Sequence, residues 1–366
     1  MFFIIATILL ALSFLTNKLQ KTISILALAV DAFLVAYPAV RHNADYNLYK
    51  LSYSQQLDNF EKGYTFLAKL FFNWGASYET FRVYIACATF IIFGIAIFRL
   101  SKNPSLVVLA FNVGLFAIEA IQIRNMIMLA LALLGFSMLK QGQFANIVLG
   151  FLVLVIATSF HTLGYFFLLG GILFFIPWDK LIKGLKVVAI VSFPVSILFL
   201  IFGVQSIQSA FGTFLSITGA RSDFSFDLVS VYNNGIGFNA WLLTVFTVFI
   251  VAILLFPFFL NSPSVRNFLN DPKSKNVLVP AFLSVFSVVL TLLSSDYVRL
   301  VRDASVFSYI AYSQLVEKLS YKRFIILIYV FVIACFVFWL QNFIIYPESG
   351  RYIGYTIGLI SDSVFQ

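Results

Sequence analysis

The chain has 366 residues, 61% hydrophobic and only 11% charged, with a mean hydropathy of +0.98. Soluble domains carry about 25% charged residues, so a water-soluble globular chain is excluded. The formal charge of +9 does not point to nucleic acid, because the bases stand in ones and twos between apolar runs, the arrangement that orients membrane helices.

The N-terminal stretch MFFIIATILLALSFLTNKLQK lacks a basic leader and a small-residue cleavage site, and its bases follow the apolar run. It reads as a retained first helix rather than a secretory signal. Twelve runs are candidates to cross about 30 Å of hydrocarbon as helices. They are 2–15, 22–39, 81–98, 105–120, 126–139, 145–160, 162–177, 187–204, 240–260, 277–293, 304–316 and 324–345. The fourth, fifth and eleventh are the weakest, each open to being broken, tilted or partly re-entrant. Cys87 and Cys335 both lie inside such runs, so neither a disulfide framework nor zinc spacing exists. The expected fold is all-α: a polytopic integral membrane protein of about twelve transmembrane helices, forming one domain over 1–366.

Charge orients it. With the N-terminus outside, the inner connections hold 14 of the 24 bases against three acids, Asp179, Asp271 and Glu317. The excess of Lys and Arg marks the cytoplasmic side. Two larger segments, 40–80 and 205–239, then face outward. In the first, Phe60, Tyr64, Leu67, Phe71 and Trp74 recur at helical spacing, an amphipathic helix suited to the membrane interface. Asp58 and Glu61 have the spacing of a capping box, with Asp58 at the N-cap and Glu61 at N3.

On the outer side the ionisable groups collect at helix ends: Asp45, Glu61, Arg124, His161, Arg221, Asp296, Arg299, Arg302 and Asp303. Such groups at membrane depth face a cavity or one another, since facing lipid is costly. Plainer roles compete. Arg299 and Arg302 could snorkel and pair with Asp296 or Asp303, His161 could be a polar anchor, and Asp31 could be a helix-packing hydrogen-bond group. No metal-ligand spacing is present.

Four elements occur in order: ADYNLYKLSY, FEKGYTFL, IQIRN and SFHTLGYFFL, with a less specific DYVRLVRDASVFSYI later. Together they resemble the EpsG/Wzy-like family of bacterial extracellular-polysaccharide polymerases, over about residues 45–176 and weakly beyond. FEKGY resembles that family's E-x-G-[YF] element with Lys62 where Pro is common, and IQIRN has Asn125 where Gln is common. The resemblance implies a membrane glycosyltransferase, GT-C-like in architecture, at the outer face of the bacterial cell membrane. It would join polyprenyl-diphosphate-linked oligosaccharide repeat units without a cofactor or metal. On that reading Glu61, His161 and Asp45 are the catalytic candidates, with Glu61 preferred. Arg124, Arg299, Arg302 and Arg221 would hold the diphosphate, and Tyr46, Tyr49, Tyr64 and Trp74 would stack on sugars or anchor at the interface. The implied partners are lipid-linked oligosaccharides and membrane lipid, with chain-length regulator and flippase proteins, and no nucleic acid. The rivals are a lipid-linked oligosaccharide flippase, which would show two similar halves and mid-membrane ionisable groups, and a single-sugar transferase using a polyprenyl-phosphate donor.

Overall fold

Lipid offers a backbone no hydrogen-bond partners, so an apolar chain of this kind must satisfy its amides within helices. The computed structural model describes residues 1–40, 43, 45–140, 142–202, 238–291, 297–317 and 323–340, all helical or connecting, with no strand among them. Arg221, Asp296 and nearly all of the second predicted outer segment lie outside the described residues.

The helices are α1 (Phe2–Thr16), α2 (Gln20–Ala36), α3 (Tyr46–Ser54), α4 (Lys62–Asn73), α5 (Tyr78–Leu100), α6 (Pro104–Gly114), α7 (Phe116–Ile121), α8 (Ile123–Met138) and α9 (Phe144–Thr158). They continue as α10 (Gly164–Leu173), α11 (Trp178–Phe202), α12 (Phe238–Leu255), α13 (Pro263–Leu269), α14 (Lys275–Phe282), α15 (Ser284–Leu290), α16 (Val298–Glu317) and α17 (Arg323–Trp339). Every predicted apolar run carries a helix. By length and composition, four stretches of the described residues suffice alone to cross a membrane: Tyr78–Leu100, Trp178–Leu198, Leu242–Phe259 and Pro272–Leu290. The others are shorter or more polar. The fourth run is broken as expected, at Leu115 between α6 and α7. The fifth and eleventh are unbroken helices, α8 and α16. The interruption falls instead in the tenth run, between α14 and α15, just after Pro280, whose missing N–H removes a rung of the helix ladder.

Ile4, Ile8, Leu12, Ile91, Leu152 and Ile190 are exposed, while Asp31, Arg82, Glu119, Arg302 and Asp303 are buried. An apolar outside around a polar inside is the pattern of helices solvated by lipid. Helix α6 sits centrally, against α1, α2, α16 and α17; α2, α5, α8 and α9 pack in series, and α16 rests on α14 and α15. Asp31 is held where α2 meets α6: Asn112, its amide turned nitrogen-inward, donates to Asp31 Oδ2 at 2.9 Å.

Helix ends alternate between two poles. At one, Gln20 donates to Asn103 (3.1 Å), Asn103 donates to the Ser313 carbonyl (2.9 Å) and Arg323 donates to the Phe14 carbonyl (2.8 Å). Buried Lys275 donates there to the Ile176 carbonyl at 2.5 Å. The opposite pole holds the C-terminus of α2, the α3–α4 segment, α7 and the starts of α8, α10 and α16.

The expected capping box does not form. Glu61, not Asp58, occupies the N-cap of α4, and its side chain makes no cap hydrogen bond. Residues 57–59 fold back over α3 instead, with the Leu57 N–H on the Ser52 carbonyl (3.0 Å) and Ser52 Oγ on Asn59 Oδ1 (2.6 Å). That path delays the helix to Lys62 and leaves Asp58 to pair with Lys69 at 2.6 Å.

Candidate active site

Three connections meet at the second pole because two glycines let them. Helix α4 starts against the α9–α10 turn, where the Gly63 N–H donates to the Ser159 carbonyl at 2.8 Å. A Cβ on Gly63 would lie 2.8 Å from that same oxygen, closer than side chains tolerate. In the turn itself, a Cβ on Gly164 would lie 2.7 Å from Thr158 Cα, so only glycine permits so tight a return. The FEKGY and SFHTLG elements are thus complementary surfaces, and their docking brings Glu61 and His161 to one pole.

Glu61 forms an ion pair with Arg124, which stands in the first turn of α8. Arg124 is held on its other sides too: Tyr49 Oη accepts from its Nε at 3.1 Å, and its guanidinium lies 4.3 Å from the Phe60 ring centroid. Guanidinium and ring face attract through the ring quadrupole, more strongly where water is excluded.

A second pair lies deeper. Arg302 Nε is 2.7 Å from Glu119 Oε1 and 3.8 Å from Asp303 Oδ1, and its Nη2 donates to Gln122 Oε1 at 2.9 Å. Asn125 Nδ2 bridges the two carboxylates, reaching Glu119 at 3.0 Å and Asp303 at 3.0 Å. Arg302 was expected to face a phosphate, yet its guanidinium is spent on Glu119 and Gln122 inside the protein. Burying a charge demands this kind of pairing. Its main partner is also not among the expected acids: Glu119 sits on α7 in a stretch that reads as apolar.

His161 lies in the turn between α9 and α10, buried, with Nδ1 accepting from the Leu163 N–H at 3.2 Å. A neutral ring with Nδ1 so used carries its proton on Nε2. Burial first, then Arg299, Arg124 and Arg302, hold the imidazole well below its ordinary pKa, so it is neutral at physiological pH. Asp45, at the start of α3, is pushed up by burial and pulled back by Arg299, Arg124 and Arg82. Arg299 therefore acts on both, from the first turn of α16. Glu61, Arg124, His161, Asp45 and Arg299 thus gather at one pole.

Of the aromatic residues, Tyr46, Tyr49 and Tyr64 are buried and Trp74 is 70% exposed. Tyr49 packs against Tyr64 (5.5 Å between ring centroids) and Phe60 (4.9 Å), and Tyr64 against Phe81 (5.6 Å). Their faces are covered by one another, which anchors α3 and α4 onto α5, and among the four only Trp74 presents its ring outward.

Arg82 went unnoticed in the sequence. It is buried on α5, donating to the carbonyls of Val35 (2.7 Å) and Ala120 (3.2 Å), and it lies 5.4 Å from the Tyr46 ring centroid. Those carbonyls belong to the last turns of α2 and α7, where helices leave acceptors unfilled and favour a cation. An arginine at the second position of the 81–98 run was the available signal, as was Glu119 inside the 105–120 run.

Buried charge gathered at one pole of lipid-facing helices defines a multi-pass membrane protein with a polar site at the helix ends. A family model for the EpsG family matches residues 24–357, and the chain belongs to that family. Neither the curated proteins nor the solved structures give a match.

Proposed function

We propose that the protein is a polysaccharide polymerase of the cell membrane, joining polyprenyl-diphosphate-linked oligosaccharide repeat units at its outer face. Family membership supports the class. The observation that carries the residue assignment is the Glu61–Arg124 pair beside the His161 turn: a carboxylate able to take a proton, a cation able to hold a phosphate, and an N–H donor within one site.

In the reaction a hydroxyl oxygen of the acceptor unit attacks C1 of the donor's reducing-end sugar, and the C1–O bond to diphosphate breaks. The bonding pair leaves with polyprenyl diphosphate and the hydroxyl proton passes to Glu61. Negative charge grows on the leaving group, so fixed cations near it lower the barrier. Arg124 and Arg299 hold the diphosphate, Arg124 through its planar fork. The Nε2–H of His161 donates to a phosphate or sugar oxygen, while Asp45 tunes Arg299. Arg302 positions α16 and Tyr49 positions Arg124. Trp74 offers the stacking surface for sugars.

The buried ionisable groups argue against a flippase. Arg82, Glu119, Arg302 and Asp303 all lie within two helical turns of the site pole. Asp31 is five residues, or about 7.5 Å, from the end of α2. None of these marks a path to the other pole, where buried Lys275 is held by the Ile176 carbonyl.

Deleting the protein in its host and analysing lipid-linked and surface saccharide tests the proposal. Loss of a polymerase leaves single repeat units on lipid at the outer face. Units retained inside would indicate a flippase, and truncated units a single-sugar transferase; either result discards the polymerase.

A further inference from the structure

Among the described residues the ion pairs fall into three kinds. Lys50–Glu79 and Lys69–Asp58 are open to solvent, and Arg302–Glu119 is sealed, its side chains 1% and 0% exposed. Arg124–Glu61 is intermediate, at 16% and 22%: mostly desolvated, yet reachable. The two partners are not equally tethered. Arg124 is fixed by Tyr49 and Phe60 as well as by Glu61. Glu61 stands at the N-cap of α4, where an acceptor side chain ordinarily bonds the first amides, and it makes no such bond. Its carboxylate has Arg124 to hold it and an unused cap position to move to.

From this we infer that Glu61 is the resident anion of the diphosphate subsite. The donor's diphosphate displaces it from Arg124, and only then is its carboxylate released to accept the proton of the acceptor hydroxyl. The inference rests on the polymerase reading and adds an order to it: the base is masked until the donor is seated. A ligand shifts such an equilibrium only by its differential affinity. A diphosphate has that advantage, since it brings more charge and more acceptor oxygens to the guanidinium fork than one carboxylate does. The resident carboxylate also lowers apparent donor affinity, by the fraction of molecules in which Arg124 is engaged.

The test is equilibrium binding of farnesyl diphosphate and of inorganic diphosphate to the purified full-length protein in detergent, on monodisperse samples. Glu61→Gln keeps the shape and removes the competing charge, so it should bind farnesyl diphosphate about tenfold more tightly than the native protein while making no polymer. Glu61→Asp, whose shorter carboxylate reaches Arg124 less well, should fall between the two, and it serves if the Gln variant does not fold. Arg124→Gln should lose binding. Equal or weaker binding by Glu61→Gln, with Arg124→Gln impaired, overturns the exchange and leaves the diphosphate site standing. Unchanged binding in Arg124→Gln overturns both.

Discussion

In the proposed reaction one hydrogen bond decides how His161 and Glu61 divide the acid–base work. With Nδ1 occupied by the Leu163 amide, the ring offers Nε2–H as a donor and has no free lone pair for a base. His161→Gln can place an amide N–H near the Nε2 position and should retain much of the polymerisation rate. His161→Ala should lose about 10²–10³-fold, the range for removing one transition-state donor. Equal losses in both variants would remove the donor role. Because burial and the arginines hold the ring well below the usual value of about 6.5, the native rate should show no inflection near that pH. The two Arg–Glu pairs should also part company in stability measurements. Glu119→Gln takes the nearer carboxylate from the sealed Arg302, leaving Asp303 at 3.8 Å, an effect of up to about 3–5 kcal/mol, read as a large fall in melting temperature in detergent. Glu61→Gln relaxes a pair that water can reach and should shift melting by far less. Sequence pattern could name Glu61 and Arg124 singly, Arg124 as a charge between two apolar runs and Glu61 as an acid of the amphipathic outer segment. It could not pair them, because 63 residues separate them and only the folded α3–α4 segment closes the distance. Arg302, just before an apolar run, was visible too, but its pairing was hidden in the same way: its partner on α7 gives no local sign of facing α16.

At the level of elements, the join between α4 and the α9–α10 turn carries the site. Gly63→Ala places a methyl 2.8 Å from the Ser159 carbonyl and threatens the Gly63 N–H bond to it, so α4 must shift and take Glu61 with it. Overpacking of this kind costs about 1–3 kcal/mol. Polymerisation should fall much more in Gly63→Ala than in Lys62→Ala, whose side chain is exposed, and a normal polymer in Gly63→Ala would show that the docking does not position Glu61. The helical stripe of Tyr64, Leu67 and Phe71 was legible from spacing alone, and so was a helix over these residues. Its start was not. Asp58 had the right spacing for a cap, but the loop's return over α3, through Leu57 and Asn59, overrode it, and such long-range steering leaves no periodic trace. The stripe's destination was hidden likewise: its rings pack on Phe81 of α5, and Phe66, 65% exposed, lies on the side left open.

The molecule as a whole has two poles with different chemistry, which fixes how it must sit if the site is to reach lipid-linked sugars outside the cell. Helix positions were readable because long apolar runs have few other solutions in lipid, and a division into two poles was readable because bases concentrate between alternate helices; which pole faces outward is a matter for labelling. Lys140, exposed beyond the C-terminus of α8, belongs to the basic pole, and Asp58, its side chain 73% exposed, to the site pole. With Cys87 and Cys335 replaced by alanine, an impermeant thiol reagent applied to intact cells should label Asp58→Cys and spare Lys140→Cys until the membrane is permeabilised. Both labelled positions lie clear of the proposed machinery, so each variant should still make polymer, and labelling can be scored on functional protein. The reverse pattern would put Glu61, Arg124 and His161 in the cytoplasm, where polymerisation at the outer face could not use them. The same positive surplus at the opposite pole would then have to be explained by something other than orientation.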